Sequence, residues 1–203
     1  RSNAIFIANP LTGERIWWAS GTNSGADLEL AGMDYSIASE LRVMDANADG
    51  AGDRIYVGDV GGQVWRIDLS PTLKLNTNAD SNGHVFADLA CTSGTRPSCA
   101  GTPMQDRRRF FYPPNVTQVE DSTYSSATPK YDIVTIASGD REDPLDFLTL
   151  NLVPSQGPVH NRIYALRDYQ ISTLSTGGTI TYPATIKDAD LFDATSNSLQ
   201  GAT

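Results

Sequence analysis

One unit recurs along this chain: a short apolar strand, a turn, and a second strand carrying a large aromatic residue. It limits the possible folds more than any other feature. The first copy is IFIANPLTGERIWWAS (5–20), with Asn-Pro and Thr-Gly in the turn and Trp17 in the second strand. The second is RIYVGDVGGQVWRIDL (54–69), where Trp65 follows Trp17 by 48 residues and Gly61-Gly62 supplies the positive φ that a tight hairpin turn demands. A third is split between YDIVTIASGD (131–140) and NRIYALRD (161–168), with Tyr164 99 residues beyond Trp65, close to twice the first spacing. Short strands at a period of about 40 to 50 residues suggest β-propeller blades, four-stranded sheets that cannot bury their faces alone. A β-sandwich with similar hairpins is the alternative.

Within the second copy, Trp65, Ile67 and Leu69 alternate with Val64, Arg66 and Asp68, the period of a sheet with one buried face. The 17 Gly and 11 Pro, with abundant Ser, Thr, Asn and Asp, fit many turns between short strands, so the expected class is all-β. Residues 1–203 are read as one partial, modified propeller of about three blades, a fragment or mature piece of something longer. Insertions are expected near 70–129 and 141–160, because Asp59 to Asp140 spans 81 residues rather than 48. The second insertion suggests a short helix near Leu145 to Leu150.

Before the second copy stands DANADGAGD (45–53). With Asp45 as position 1, Asn47 is 3, Asp49 is 5, Gly50 is 6, Ala51 is 7 and Asp53 is 9, the ligand order of an EF-hand calcium loop with its turn glycine and a backbone carbonyl at 7. The donors are all oxygen, which suits Ca2+ and offers no His or Cys to softer metals. Position 12 is Tyr56 rather than a bidentate Glu, and the flanks read as strands, so the loop is expected to bind calcium from within a sheet. The alternative is an Asx-rich turn whose side chains cap their own backbone. That reading leaves the repulsion among three carboxylates uncompensated.

Cys91 and Cys99 bracket a Ser, Thr, Gly and Pro-rich spacer, CTSGTRPSC, which reads as a disulfide and an oxidising compartment, against two free thiols as the alternative. The balance of 15 Lys and Arg against 24 Asp and Glu, net charge -9, argues against a nucleic-acid partner. No apolar run reaches membrane-spanning length. In RRRFF (107–111) the arginines are expected to pair with local carboxylates while Phe110 and Phe111 pack into the sheet. His84 and His160 read as strand-edge and loop residues, and Asp140, Arg141 and Glu142 as surface charges or an interaction surface.

DANADGAGDRIYVGDVGGQVWRIDL, RRRFFYPPNV, IASGDREDPL and NRIYALRD, in this order, resemble the C-terminal propeller domain of the PilY1 family of type IV pilus tip and biogenesis proteins. The resemblance covers most of residues 1 to 168. It implies a modified propeller and calcium held by Asp45, Asn47, Asp49, the Ala51 carbonyl and Asp53. It also implies control of pilus extension against retraction, adhesion and twitching motility, and a periplasmic to cell-surface location in Gram-negative bacteria. Minor pilins, pilus tip components and host or abiotic surfaces would be the partners. The family's large N-terminal adhesive region has no counterpart here. The rival is a quinoprotein dehydrogenase propeller, which holds pyrroloquinoline quinone beside calcium. Its vicinal cysteines are missing, the calcium ligands are consecutive in one loop, and no Gly-x-Ser-x-Gly, His-Glu-x-x-His or P-loop appears, so no catalytic residue and no enzyme activity are expected.

Overall fold

The computed structural model describes residues 2–71, 81–120, 130–139, 141, 159–175 and 177–195. Its described elements are strands and two single-turn 3-10 helices, Met104–Asp106 and Asp188–Asp190, so the chain is all-β. The expected helix near Leu145 to Leu150 lies outside the described residues.

Among the described residues, eleven strands form three sheets. The first is β1 (Ala4–Ala8), β2 (Arg15–Gly21) and β3 (Leu28–Leu30), in that spatial order, with β3 parallel to β2. The second contains β4 (Arg42–Met44), β5 (Arg54–Gly58), β6 (Gln63–Asp68) and β7 (Asn82–Asp88), an antiparallel meander, with β11 (Ile186–Lys187) added parallel to β7. The third is the meander β8 (Asn115–Glu120), β9 (Lys130–Ala137) and β10 (Ile163–Asp168), in which, among the described residues, β10 pairs with β9.

Two apolar clusters place the sheets face to face in chain order. Ile5, Trp17, Ala19 and Leu30 of the first sheet meet Ile55, Val57, Trp65 and Ile67 of the second. On the opposite face of the second sheet, Tyr56, Val64 and Phe86 meet Val116, Val134, Ile136, Tyr164 and Leu166 of the third. The middle sheet is therefore covered on both sides, and every residue of β5 and β6 is buried. This corrects the expectation of a single buried face. The alternation in β6 separates an apolar interface from one that also carries charge.

The aromatic repeat needs a second correction. Trp65 and Tyr164 lie in the third strands of their meanders, and each faces the preceding sheet. Trp17 faces the following sheet, because it belongs to the same cluster as Trp65. Its neighbour Trp18, one residue on and so on the other face, stacks on the half-exposed Phe6 with ring centroids 5.6 Å apart. Trp18, not Trp17, therefore shares with Trp65 the facing away from the following sheet.

Candidate metal loop and its surroundings

The loop 45–53 joins β4 to β5. Met44 and Asp53 close its base, where the Asp53 N–H donates to the Met44 carbonyl at 2.7 Å. Glycine at position 50 is required by its backbone, with φ at 90°, and Ala48 also sits in the left-handed region at 61°. Every sequence-identified side chain turns back on the loop. Asp45 accepts from the N–H groups of Asp49 at 3.1 Å and Gly50 at 2.8 Å. Asn47 Oδ1 accepts from Asp49 N–H at 2.9 Å, and Asp49 Oδ1 from Ala51 N–H at 2.8 Å. Asp53 accepts from Ala46 N–H at 2.7 Å and Asn47 N–H at 3.2 Å. Only Asp53 is buried, whereas Asp45, Asn47, Asp49 and Ala51 are exposed.

The loop thus brings Asp45, Asn47, Asp49 and Asp53 onto one curled segment, with the backbone capping that the alternative reading anticipated. Among the described residues, no three Asp, Glu, His or Cys side chains converge as a metal-ligating group. The donor set still fits a hard cation. All side-chain donors are oxygen, and a carboxylate offers about four lone-pair sites, more than the one to three hydrogen bonds each accepts here.

Asp53 ties the loop to a feature the sequence reading missed. Its carbonyl accepts from Leu69 N–H at 2.8 Å, and its neighbour Arg54 is fully buried between the second and third sheets. There Arg54 bonds Asp68 at 2.8 Å and Asp132 at 2.9 Å, while Arg66 grips Asp68 through two nitrogens at 2.8 and 3.0 Å and Asp168 at 2.6 Å. Tyr56 and Tyr182 donate their hydroxyls to Asp168 and Asp68 at 2.7 and 2.8 Å. Burial, reinforced by the Asp168 charge, raises the Tyr56 pKa, so its hydroxyl stays a donor at neutral pH. Arg54 and Arg66 also hold the Ser172 and Gln170 carbonyls, fastening the segment after β10 across the sheet ends. The signal in the sequence was Arg54, Arg66 and Asp68 inside otherwise apolar strands, Arg66 and Asp68 two positions apart and so on one face.

At the other end of the β5–β6 hairpin, Asp59 is buried and accepts from the N–H groups of Gly61 and Gln63 and from the Trp65 indole, all at 2.9 Å. Burial raises its pKa to about 6 against those donors. The turn fits its glycines. A Cβ on Gly62, whose φ is 78°, would lie 2.2 Å from the Ala90 Cβ.

Cys91 and Cys99 form the expected disulfide, outside both apolar clusters. Within its loop, Arg96 reaches Asp88 and the Gly61 carbonyl, and stands 5.0 Å from the Tyr35 ring centroid. Phe110 and Phe111 are buried as expected. Of the three arginines, Arg108 is shown paired with carboxylates, the local Asp106 at 2.9 Å and the distant Asp188 at 3.3 Å. His84 lies on β7 opposite Arg66 and stacks on Tyr182, with centroids 3.9 Å apart. Burial and then the Arg66 charge lower its pKa to about 4. His160 precedes β10 and contributes its carbonyl to Arg108 at 2.9 Å. Asp140 and Glu142 lie outside the described residues.

No protein family matches the sequence, and no curated protein does. Among solved structures, the crystal structure of the Pseudomonas aeruginosa PilY1 C-terminal domain is similar, with a TM-score of 0.41 and 18% identity, covering 85% of this chain and 34% of that one. The chain therefore spans about a third of that structure's length. Among the described residues, no helix is long and apolar enough to cross a membrane.

Proposed function

We propose that this chain is a calcium-binding part of a β-propeller in a PilY1-like type IV pilus protein, in which the metal loop regulates pilus extension and retraction and supports adhesion and twitching motility. The observation that carries the calcium reading is the loop itself. Oxygen donors stand at positions 1, 3, 5, 7 and 9, with a left-handed glycine at 6 and strands β4 and β5 holding both ends.

Asp45, Asn47, Asp49, the Ala51 carbonyl and Asp53 are the ligands in this reading, and bound calcium would neutralise the charge that the three carboxylates concentrate there. Asp53 anchors the set, since its backbone is fixed to Met44 and Leu69. Asp49 sits on the exposed side and can move with little disturbance to the sheets. Sheets stacked face to face in chain order, with Trp65 and Tyr164 in the third strands of the second and third sheets turned to the preceding sheet, support the propeller reading. The disulfide supports a periplasmic or cell-surface location. The pilus assignment rests on the resemblance of the ordered sequence motifs, with minor pilins and tip components as partners.

The pilus role is tested in the source bacterium by replacing the chromosomal copy with Asp49→Ala. Changed pilus number or twitching at normal protein level, together with cross-links from the wild-type protein to minor pilins, is expected. Normal pili and motility would reduce the ion to a structural one.

A further inference from the structure

Arg54 stands between the metal loop and the third sheet. The loop hangs from β4 and β5, yet β4 is three residues long, and its Arg42 and Val43 are exposed while Met44 is part-buried. Strand register is set largely by which face is buried, so β4 specifies its own register weakly. The register on which the loop depends, with Met44 opposite Arg54, must be fixed from the β5 side.

Side chains alternate along β5, so Arg54 and Tyr56 face the third sheet whereas Ile55 and Val57 face the first. Asp53 belongs with the second pair. It lines a cleft of about 550 Å³ together with Ile5, Phe6 and Ile7 of β1, and from that side its carboxylate reaches Ala46 and Asn47 in the loop. A slip of one residue would exchange the two faces and carry the Asp53 carboxylate away from the loop.

The Arg54 side chain is tied to three parts of the chain. Its Nε donates to Asp68 of β6 at 2.8 Å, one terminal nitrogen donates to Asp132 of β9 at 2.9 Å, and the other to the Ser172 carbonyl beyond β10 at 2.9 Å. A fully buried cation separated from its partners is strongly disfavoured, so a slipped or loosened β5 is penalised at Arg54 as it would not be at an apolar residue. The backbone carries the constraint to the loop. Asp53 N–H donates to the Met44 carbonyl, and the Asp53 carbonyl accepts from Leu69, the residue after Asp68.

We propose that Arg54 is a positioning residue for the metal loop: its bonds to Asp68, Asp132 and the Ser172 carbonyl hold β5 in the register that presents Asp53 to the ion, so calcium binding and closure of the third sheet on the second strengthen each other. The inference rests on the calcium reading of the loop. Coupling between two sites is reciprocal, so whatever the network adds to calcium affinity, calcium returns to the network. Arg66 lies opposite Tyr56 and bonds Asp168, one step further from the loop in the same charged layer.

The test is a calorimetric titration with Ca2+ of the whole chain as wild type, Asp132→Asn and Asp168→Asn. Asp132→Asn loosens Arg54 from β9 and is expected to weaken calcium binding by about fivefold or more. Asp168→Asn disturbs the same buried layer through Arg66 and Tyr56, and should bind calcium as the wild type does. This contrast separates positioning from a general loss of stability. A second readout leaves the network intact and decides the matter if Asp132→Asn fails to fold. Saturating Ca2+ should slow amide exchange at Leu69 and Gln170 of the wild type, because Leu69 N–H is held by Asp53 and Gln170 N–H lies in the segment that the two arginines fasten. Asp49→Ala should lose the slowing. Equal calcium affinity in wild type and Asp132→Asn, equal weakening in both network variants, or exchange at Leu69 and Gln170 that ignores bound calcium would overturn the proposal and leave the calcium reading standing. A wild type that binds no calcium would overturn both.

Discussion

Arg66→Met should strike the interface between the second and third sheets harder than the loss of any single apolar contact there. Arg66 is fully buried and makes two bonds to Asp68, one to Asp168 and one to the Gln170 carbonyl. Methionine fills much of the volume and returns none of the charge. Asp68 keeps Arg54 and the Tyr182 hydroxyl, but among the described residues Asp168 keeps the Tyr56 hydroxyl and the Gln170 N–H and no cation. Removing one partner from a buried ion pair costs about 3 to 5 kcal/mol, because the other charge stays desolvated and uncompensated. A domain of this size has roughly 5 to 15 kcal/mol in total, and each kcal/mol shifts Tm by about 2 to 4 °C. The expected fall is therefore on the order of 6 to 20 °C. Urea unfolding gives the free energy, and a cycle with Asp168→Asn gives the coupling. The double variant should lose about 1 to 3 kcal/mol less than the sum of the singles. A loss under about 1 kcal/mol, or strict additivity, would refute the claim that these charges act as one buried network.

Gly62→Ala should destabilise the β5–β6 hairpin by about 1 to 3 kcal/mol, since the new methyl meets Ala90 and the φ of 78° is unfavourable to it; wild-type thermal stability would contradict this. Cys91→Ser with Cys99→Ser should cost about 2.5 kcal/mol for a link eight residues apart, with both thiols blocked to alkylation in the untreated wild type by mass spectrometry. His84, lowered to about 4 from its usual 6.5, stays neutral when folded, so its contribution to stability falls as pH drops from 6.5 toward 4 and is constant above. Asp59, raised to about 6, works in the opposite direction between its usual 3.8 and 6. The His84 effect is therefore read as the difference between wild type and His84→Gln, and parallel pH profiles would exclude it.

The hairpins, their glycine turn, the disulfide and the β4-loop-β5 order were legible because each depends on residues close in sequence. What the sequence concealed depends on which sheet meets which. Alternation in β6 marked two faces, yet one-sided burial was the natural reading until the third sheet closed over Arg66 and Asp68. Adjacent tryptophans 17 and 18 could each be matched to Trp65, and only the facing of the sheet distinguishes them. Asp132 and Asp168 carry no signal of their own in the sequence, and their role appears only when Arg54 and Arg66 arrive from strands about 80 to 100 positions earlier. At the loop, residue order indicated the donors but not how they are arranged, and the backbone N–H groups now hold all four side chains.

The most direct test of the calcium reading is a calorimetric titration of the wild-type chain with Ca2+ alongside Asp49→Ala, an exposed position whose removal leaves Asp53 and the strand ends in place. One binding site is predicted for the wild type, with a dissociation constant from roughly micromolar to millimolar. The variant should show at least about a tenfold weaker site with an unchanged circular dichroism spectrum. Equal affinity in the two proteins, or no heat of binding in the wild type up to about 10 mM Ca2+, would contradict the assignment and leave the loop as a self-capped turn.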